Sequence, residues 1–308
     1  MSEGQGTTPL SPGRRAWRRF RQHRIAVASA WFLLCVIGFA VVYPPLARYG
    51  PNELSAAQFA PPSAAHWLGT DVHGRDLLVR LCHGARISLL VGVAGAGVCL
   101  VMGVVWGAVA GYWGGRVDSV MMRAVDVLYC VPSIILAIVL MAVLEPVFRR
   151  WLDAWHCTKT PALARLGVLF LALGAVSWLT MARVVRGQVL SLRSRAFVDA
   201  SRVLGASPVW ILRRHIVPNV LGVVIVYLTL ALPGIVLAES FLSFLGIGVQ
   251  MPLASWGSLL AEGTEQINPI RIYWWLLVYP GGLLVATLLA LNFLGDGLRD
   301  AWDIRRDS

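Results

Sequence analysis

Charge is scarce in this chain. Only 14% of its 308 residues are Asp, Glu, Lys or Arg, against 57% hydrophobic, and the mean hydropathy is +0.68. A soluble domain spends about a quarter of its residues on charge, so an ordinary water-soluble fold is excluded and the bilayer is the better solvent. Lysine is scarcer still: Lys159, in "CTKTP", is the only one. A phosphate-cradling loop needs a Gly-rich stretch ending in Gly-Lys-Ser/Thr, so the chain has no such ATP site of its own. Ionisable groups inside the apolar runs are nearly absent, with Asp126 and Glu239 the only candidates. A membrane enzyme would need a convergent set of such groups, and an ion-coupled secondary transporter uses them near the midplane. Both classes are disfavoured. Of the five cysteines, Cys35, Cys99 and Cys130 lie in apolar runs and read as small hydrophobes. Cys82 and Cys157 share one predicted side, and a bridge between them stays open.

What is there is a series of long apolar runs. A spanning helix needs roughly 20 such residues, and six charge-free runs qualify: 25–47, 87–115, 127–144, 166–182, 216–238 and 272–295. A seventh, 240–261, contains Gly246, Gly248, Pro252, Ser255, Gly257 and Ser258. Lipid offers no partner for the backbone groups that such breakers free, so an irregular segment at one face is expected there. The prediction is an all-α polytopic membrane protein with six transmembrane helices. The first run is long for a signal peptide and ends in Pro44-Pro45 with no clear cleavage site, which favours an uncleaved anchor.

The net charge of +11 is carried almost wholly by arginine. Its placement follows membrane topology rather than the footprint of a nucleic-acid binder. Arg14, Arg15, Arg18, Arg19, Arg21 and Arg24 crowd the N-terminal tail, and seven more fall between the fourth and fifth runs. Positive loops favour the cytoplasm, so both termini are expected inside. The expected organisation is a basic cytoplasmic tail (1–24), a first span with an exterior segment (25–85), a transmembrane core (86–297) and a cytoplasmic C-terminal tail (298–308).

Within the core, the loop 183–217 is unusually punctuated. In "RSRAFVDASRVLG", Phe197, Ala200, Ser201 and Leu204 recur at helical spacing on one face, with Asp199 as an acidic exception among arginines. Gly205 is a fitting C-terminal stop. Ser207 offers an N-cap, and Pro208 suits the first helical position, where its missing N–H is harmless. Two short helices joined by a tight turn are predicted, with Pro218 opening the fifth span. The bland alternative is an interfacial helix pair held by anionic membrane lipid.

Elsewhere, Gly103, Gly107 and Gly111 repeat every four residues and make a flat stripe for close helix approach, within the chain or to a second subunit. In "HWLGTDVHGRDLL", Asp71, Gly69 and Gly74 are turn formers, and Asp76 is a good N-cap for the helix that follows. This segment, with Arg75, is expected to close the exterior end of the bundle. His66, Asp71 and His73 are close in sequence, but nothing fixes a metal geometry on them. Arg123 and Asp126 are three apart and can pair. Counting about 1.5 Å per residue from Pro218 places Glu239 at the exterior interface, as an anchor or outer gate near Arg75, Arg80 or Arg86.

The basic loop resembles the signature of ABC importer permeases: Glu-Ala-Ala, three residues, a Gly, and a later Pro. Asp199-Ala200-Ser201, Gly205 and Pro218 match it, with Asp for Glu and Ser for the second Ala. "GARISLLVG", "GYWGGRVDSVMMRAVDVLYCVPS", "ESFLSFLGIGVQMP", "SWGSLLAEG" and "NFLGDGLRDAWD" look like the second permease of dipeptide, oligopeptide and nickel importers. The stretch "EPVFRRWLDAWHCTKTPALAR" is longer and more polar than that family's pattern. The resemblance implies a type I permease fold, no enzymatic activity and no cofactor. It also implies a homologous permease as partner, two ATPase subunits on the cytoplasmic face, one of which takes the loop in a groove, and a binding protein that chooses the cargo. Short peptides are the commonest cargo in that branch; nickel or another small solute is the alternative.

Overall fold

The computed structural model describes residues 12–154 and 161–302. Every regular element among them is helical. The chain opens with α1 (Pro12–Gln22) and α2 (Arg24–Leu46), then crosses an irregular segment to α3 (Leu77–Trp113). There follow α4 (Gly115–Tyr129), α5 (Ser133–Ala154) and α6 (Pro161–Arg193). The short α7 (Ala196–Val203) and α8 (Pro208–Ile211) lead through a π turn (Leu212–Ile216) into α9 (Val217–Phe244). α10 (Trp256–Thr264) and α11 (Trp275–Trp302) complete the order. α1, α4, α7 and α8 gather at one end of the bundle, and the segment 47–76 and α10 lie at the other.

Among the described residues, five helices are long and apolar enough to cross a membrane, and six spans result if α4 and α5 count as one bent span. The expected third span, 127–144, is therefore not a single helix. Pro132 cannot continue a helix from α4 and disfavours helical geometry at Val131; the two helices meet at 97° there. At nine residues, or about 14 Å, α10 is too short to span; the seventh apolar run ends α9, is irregular over 245–255 and then enters α10. The fifth span also differs from expectation. Pro218 lies in the first turn of α9, as expected, but does not begin the helix, which is continuous from Pro208 to Phe244. Val217 donates its N–H to Leu212 O across the π turn. The wider turn makes room for a proline ring just where an α-turn would clash.

The core is built by close backbone approach. α3 and α6 are the most intimate pair, and the glycine stripe lies between them. A Cβ on Gly103 would fall 2.5 Å from Met181 Cβ, one on Gly107 2.5 Å from Ala182 O, and one on Gly111 2.9 Å from Val189 Cβ. α9 packs on α3 through Ile235 and Val236 opposite Gly95 and Gly92. α1 is tied to α11 by Phe20, which is buried with Ala26 and Ala301. Leu34, Ile37 and Val41 on α2 and Val101 and Val105 on α3 stay exposed, as a surface facing lipid or a second subunit would be.

Candidate functional site

The loop between α6 and α9 is shaped by its own caps. Gly205, at φ +81°, closes α7. Its N–H reaches Arg202 O at 2.9 Å and that of Ala206 reaches Ser201 O at 3.0 Å, the paired bonds of a Schellman stop. Ser207 then accepts the N–H of Trp210 at 3.3 Å, with Pro208 at the start of α8. The chain thus makes a helix, a left-handed turn and a second helix within some twenty residues.

Its two faces differ. Val198 is fully buried and Ser201 nearly so, with Ser201 Oγ bonded to Phe197 O. These two turn inward, so Ser201 does not share the free face with Phe197, Ala200 and Leu204. Phe197, Asp199, Ala200 and Gly205 are exposed, while Val203 and Leu204 are 88% and 86% exposed, next to exposed Val209 and Trp210. Asp199 is paired with Arg202 at 2.9 Å, and the Arg202 guanidinium lies 5.6 Å from the Tyr112 ring centroid. Arg193 donates to Tyr112 O at 3.1 Å. The loop is therefore pinned to the end of α3 by two arginines, while its apolar tip is left bare. Apolar side chains so fully exposed on a rigid turn mark an interaction surface.

Beside it, α4 is braced against α6. Asp118 pairs with Arg186, and Asp126 pairs with Arg183 at 2.6 Å. The expected Arg123–Asp126 pair does not form, because the guanidinium of Arg183, 57 residues further along, reaches Asp126 instead. Tyr129 and Thr180 hydroxyls meet at 2.5 Å. Next to this brace, α5, α6 and α9 enclose a cavity of about 470 Å³ whose lining is mostly apolar, including Ile134, Leu173 and Ala238.

The opposite end is closed by buried charge. Asp71 accepts from Arg75 Nε at 2.6 Å and from Arg80 at 2.7 Å, and both arginines also reach Glu262 of α10, at 3.0 and 2.5 Å. Asp76 caps α3 by accepting the N–H of Val79 at 3.0 Å and accepts from His66 Nδ1 at 2.9 Å. His66 and Asp71 thus face different partners, and among the described residues no group of three potential ligands is placed to hold a metal. Glu262 was missed by sequence reasoning, since its partners lie some 180 residues away. Glu239 is fully buried near this end, but its expected arginine partners are engaged elsewhere: Arg86 donates to the carbonyls of Ala40 and Val41. Serines surround the Glu239 carboxylate instead. Cys82 is buried and free; Cys157, its suggested partner, lies outside the described residues.

Comparison with known proteins agrees with this architecture. Residues 103–307 match the family described as the binding-protein-dependent transport system inner membrane component. Residues 11–62 match the N-terminal TM domain of oligopeptide transport permease C. The dipeptide transport system permease protein DppC of Bacillus subtilis is 42% identical over 295 residues, covering 96% of this chain and 86% of its own length. The oligopeptide transport system permease protein OppC of Escherichia coli K12 is 45% identical over 298 residues, covering 94% and 92%. OppC of Mycobacterium tuberculosis is 38% identical over 287 residues, covering 93% and 92%. With its helical spans, its bent third span and its capped loop, the chain belongs to the family of binding-protein-dependent transport system inner membrane components, as a multi-pass inner-membrane permease.

Proposed function

We propose that this chain is one permease subunit of an ATP-driven importer of short peptides. It forms the translocation path with a homologous permease, is powered by two separate ATPase subunits, and receives cargo from an extracytoplasmic binding protein. The relatives' names support the peptide cargo. The observation that carries the motor assignment is the bare apolar tip of the 196–210 loop: Phe197, Ala200, Leu204 and Trp210 project from a turn held by Gly205, Ser207 and Pro208. Such a knob fits a groove on a partner, and the chain's lack of a phosphate-binding loop calls for a partner that hydrolyses ATP. Pro218, inside the continuous helix, then carries movement of the loop into α9.

In this reading the α7 end faces the cytoplasm, where the arginines concentrate, and the α10 end faces outward. A reporter fused after Ala56 reads exterior, and one fused at the C-terminus reads cytoplasmic. Co-expression with the two ATPases, the second permease and the binding protein gives a complex that survives detergent extraction and drives ATP-dependent uptake of a labelled dipeptide in vesicles. Extraction of this chain free of any ATPase overturns the assignment.

A further inference from the structure

Among the described residues, the buried carboxylate of Glu239 has no cation as a partner. Ser243 donates to it at 2.7 Å and Ser240 at 3.3 Å, and the hydroxyls of Ser88 and Ser255 lie near enough to interact with it. A serine hydroxyl has one proton to give and two lone pairs to receive. Three of these hydroxyls use the second capacity on a backbone amide. Ser243 accepts the N–H of Val249 at 3.0 Å, Ser88 that of Trp256 at 3.2 Å, and Ser255 that of Ser258 at 3.3 Å. All three amides belong to the segment that folds back over the α10 end. That segment lies very close to α9: a Cβ on Gly257 would collide with Ser240 O, and one on Gly248 would lie 2.6 Å from Ser243 N.

We propose that Glu239 is a positioning residue which, by taking the protons of Ser88, Ser243 and Ser255, aims their lone pairs at the backbone of residues 249–258 and so fastens that segment to α9 and α3. A carboxylate can accept from all these hydroxyls at once, a Gln carbonyl from two of them, and an apolar side chain from none. Resting on the importer reading, the fastening also has a role in transport. α9 is one unbroken helix with α8, so a displacement of the docking loop at one end is delivered to the fastened segment at the other.

Hydrogen exchange of the intact chain tests the fastening directly. Glu239→Leu should speed exchange at Val249, Trp256 and Ser258 together, by at least about tenfold, though none of these amides touches residue 239. Glu239→Gln, which keeps a carbonyl acceptor, should restore most of the protection. Ser243→Ala should release Val249 alone and Ser88→Ala Trp256 alone, so the test survives if Glu239→Leu does not fold. Unchanged protection at the three amides in Glu239→Leu, or loss spread evenly over α3 and α9 in the serine variants, overturns the proposal. In reconstituted complexes, Glu239→Leu should cut peptide uptake at least about tenfold while Glu239→Gln keeps most of it, and equal uptake by both overturns the transport role. Absence of ATP-driven uptake in the unmodified complex would instead overturn the importer reading and leave the exchange result standing.

Discussion

Arg183 of α6 touches Asp126 of α4 at 2.6 Å and at the same time stacks its guanidinium 3.9 Å over the ring of Tyr129. One side chain thereby ties the last turn of α4, just before the break that separates it from α5, to α6. The pair is well exposed, at 44% and 63%, so water screens it and it contributes below about 1 kcal/mol. Arg183→Gln should shift the thermal midpoint in detergent little. A fall of more than a few degrees would mean that the brace is stronger than its exposure allows.

The charge cluster at the other end behaves oppositely. Asp71, Arg75 and Arg80 are at most 4% exposed. Asp71→Asn leaves two buried guanidinium groups sharing only Glu262, and breaking a buried pair costs about 3–5 kcal/mol. Thermal unfolding should show a large loss, and replacing Asp71 should cost far more than replacing Asp126.

Gly107→Val tests the α3–α6 contact. Its Cβ would fall 2.5 Å from Ala182 O and 2.8 Å from Val185 Cβ, and backbone gives way poorly, so overpacking should cost at least about 1–3 kcal/mol. Gly97 has open space around it. Gly97→Ala should instead stabilise by roughly 0.5–1 kcal/mol through helix propensity. Equal midpoints for the two variants would contradict the packing described.

Gly205 separates backbone from contact. No atom lies within 4 Å of a Cβ built there, yet its φ is +81°, which strains a β-branched residue by about 1–2 kcal/mol. Gly205→Val should therefore reach the membrane in normal amount and lose uptake, while Gly205→Asn, tolerant of that region, keeps most of it. Normal uptake by the valine variant would show that the turn does not matter.

Leu204→Asp probes the bare tip. At 86% exposure, the substitution should alter the chain's own stability by no more than about 0.5 kcal/mol. Recovery of ATPase subunits in a detergent pull-down should nevertheless collapse. Full recovery would place the docking surface elsewhere.

Features that depend on neighbours in sequence were legible in advance. The spans follow from runs without charge, and Asp76, Gly205 and Ser207 are caps whose partners lie within five residues. What escaped were relationships across the fold. Asp126 has Arg123 within a turn, yet binds Arg183, because α4 lies across the flank of α6 and not along its own predicted span. A hydropathy run cannot register the turn at Val131, since Pro132 leaves the average apolar. Glu239 was expected beside arginines because only depth could be counted; the serines around it come from α3, from α9 and from the cap of α10. Glu262 gave no signal at all, being one acid in a stretch otherwise read as irregular.

The π turn at Leu212–Ile216 holds one residue more than an α-turn would. Helix phase is therefore reset there: everything downstream is rotated by about 100° relative to an uninterrupted α-helix. The aim of Trp210 toward a partner and the aim of Glu239 toward its serines are set independently, by a single surplus residue between them. Removing Arg213 would not shorten a loop but re-phase a transmembrane helix, turning Glu239 away from Ser88 of α3 and Ser255 at the α10 cap while Ser240 and Ser243, on α9 itself, turn with it. The length of that five-residue stretch is thus under tighter constraint than its side chains are.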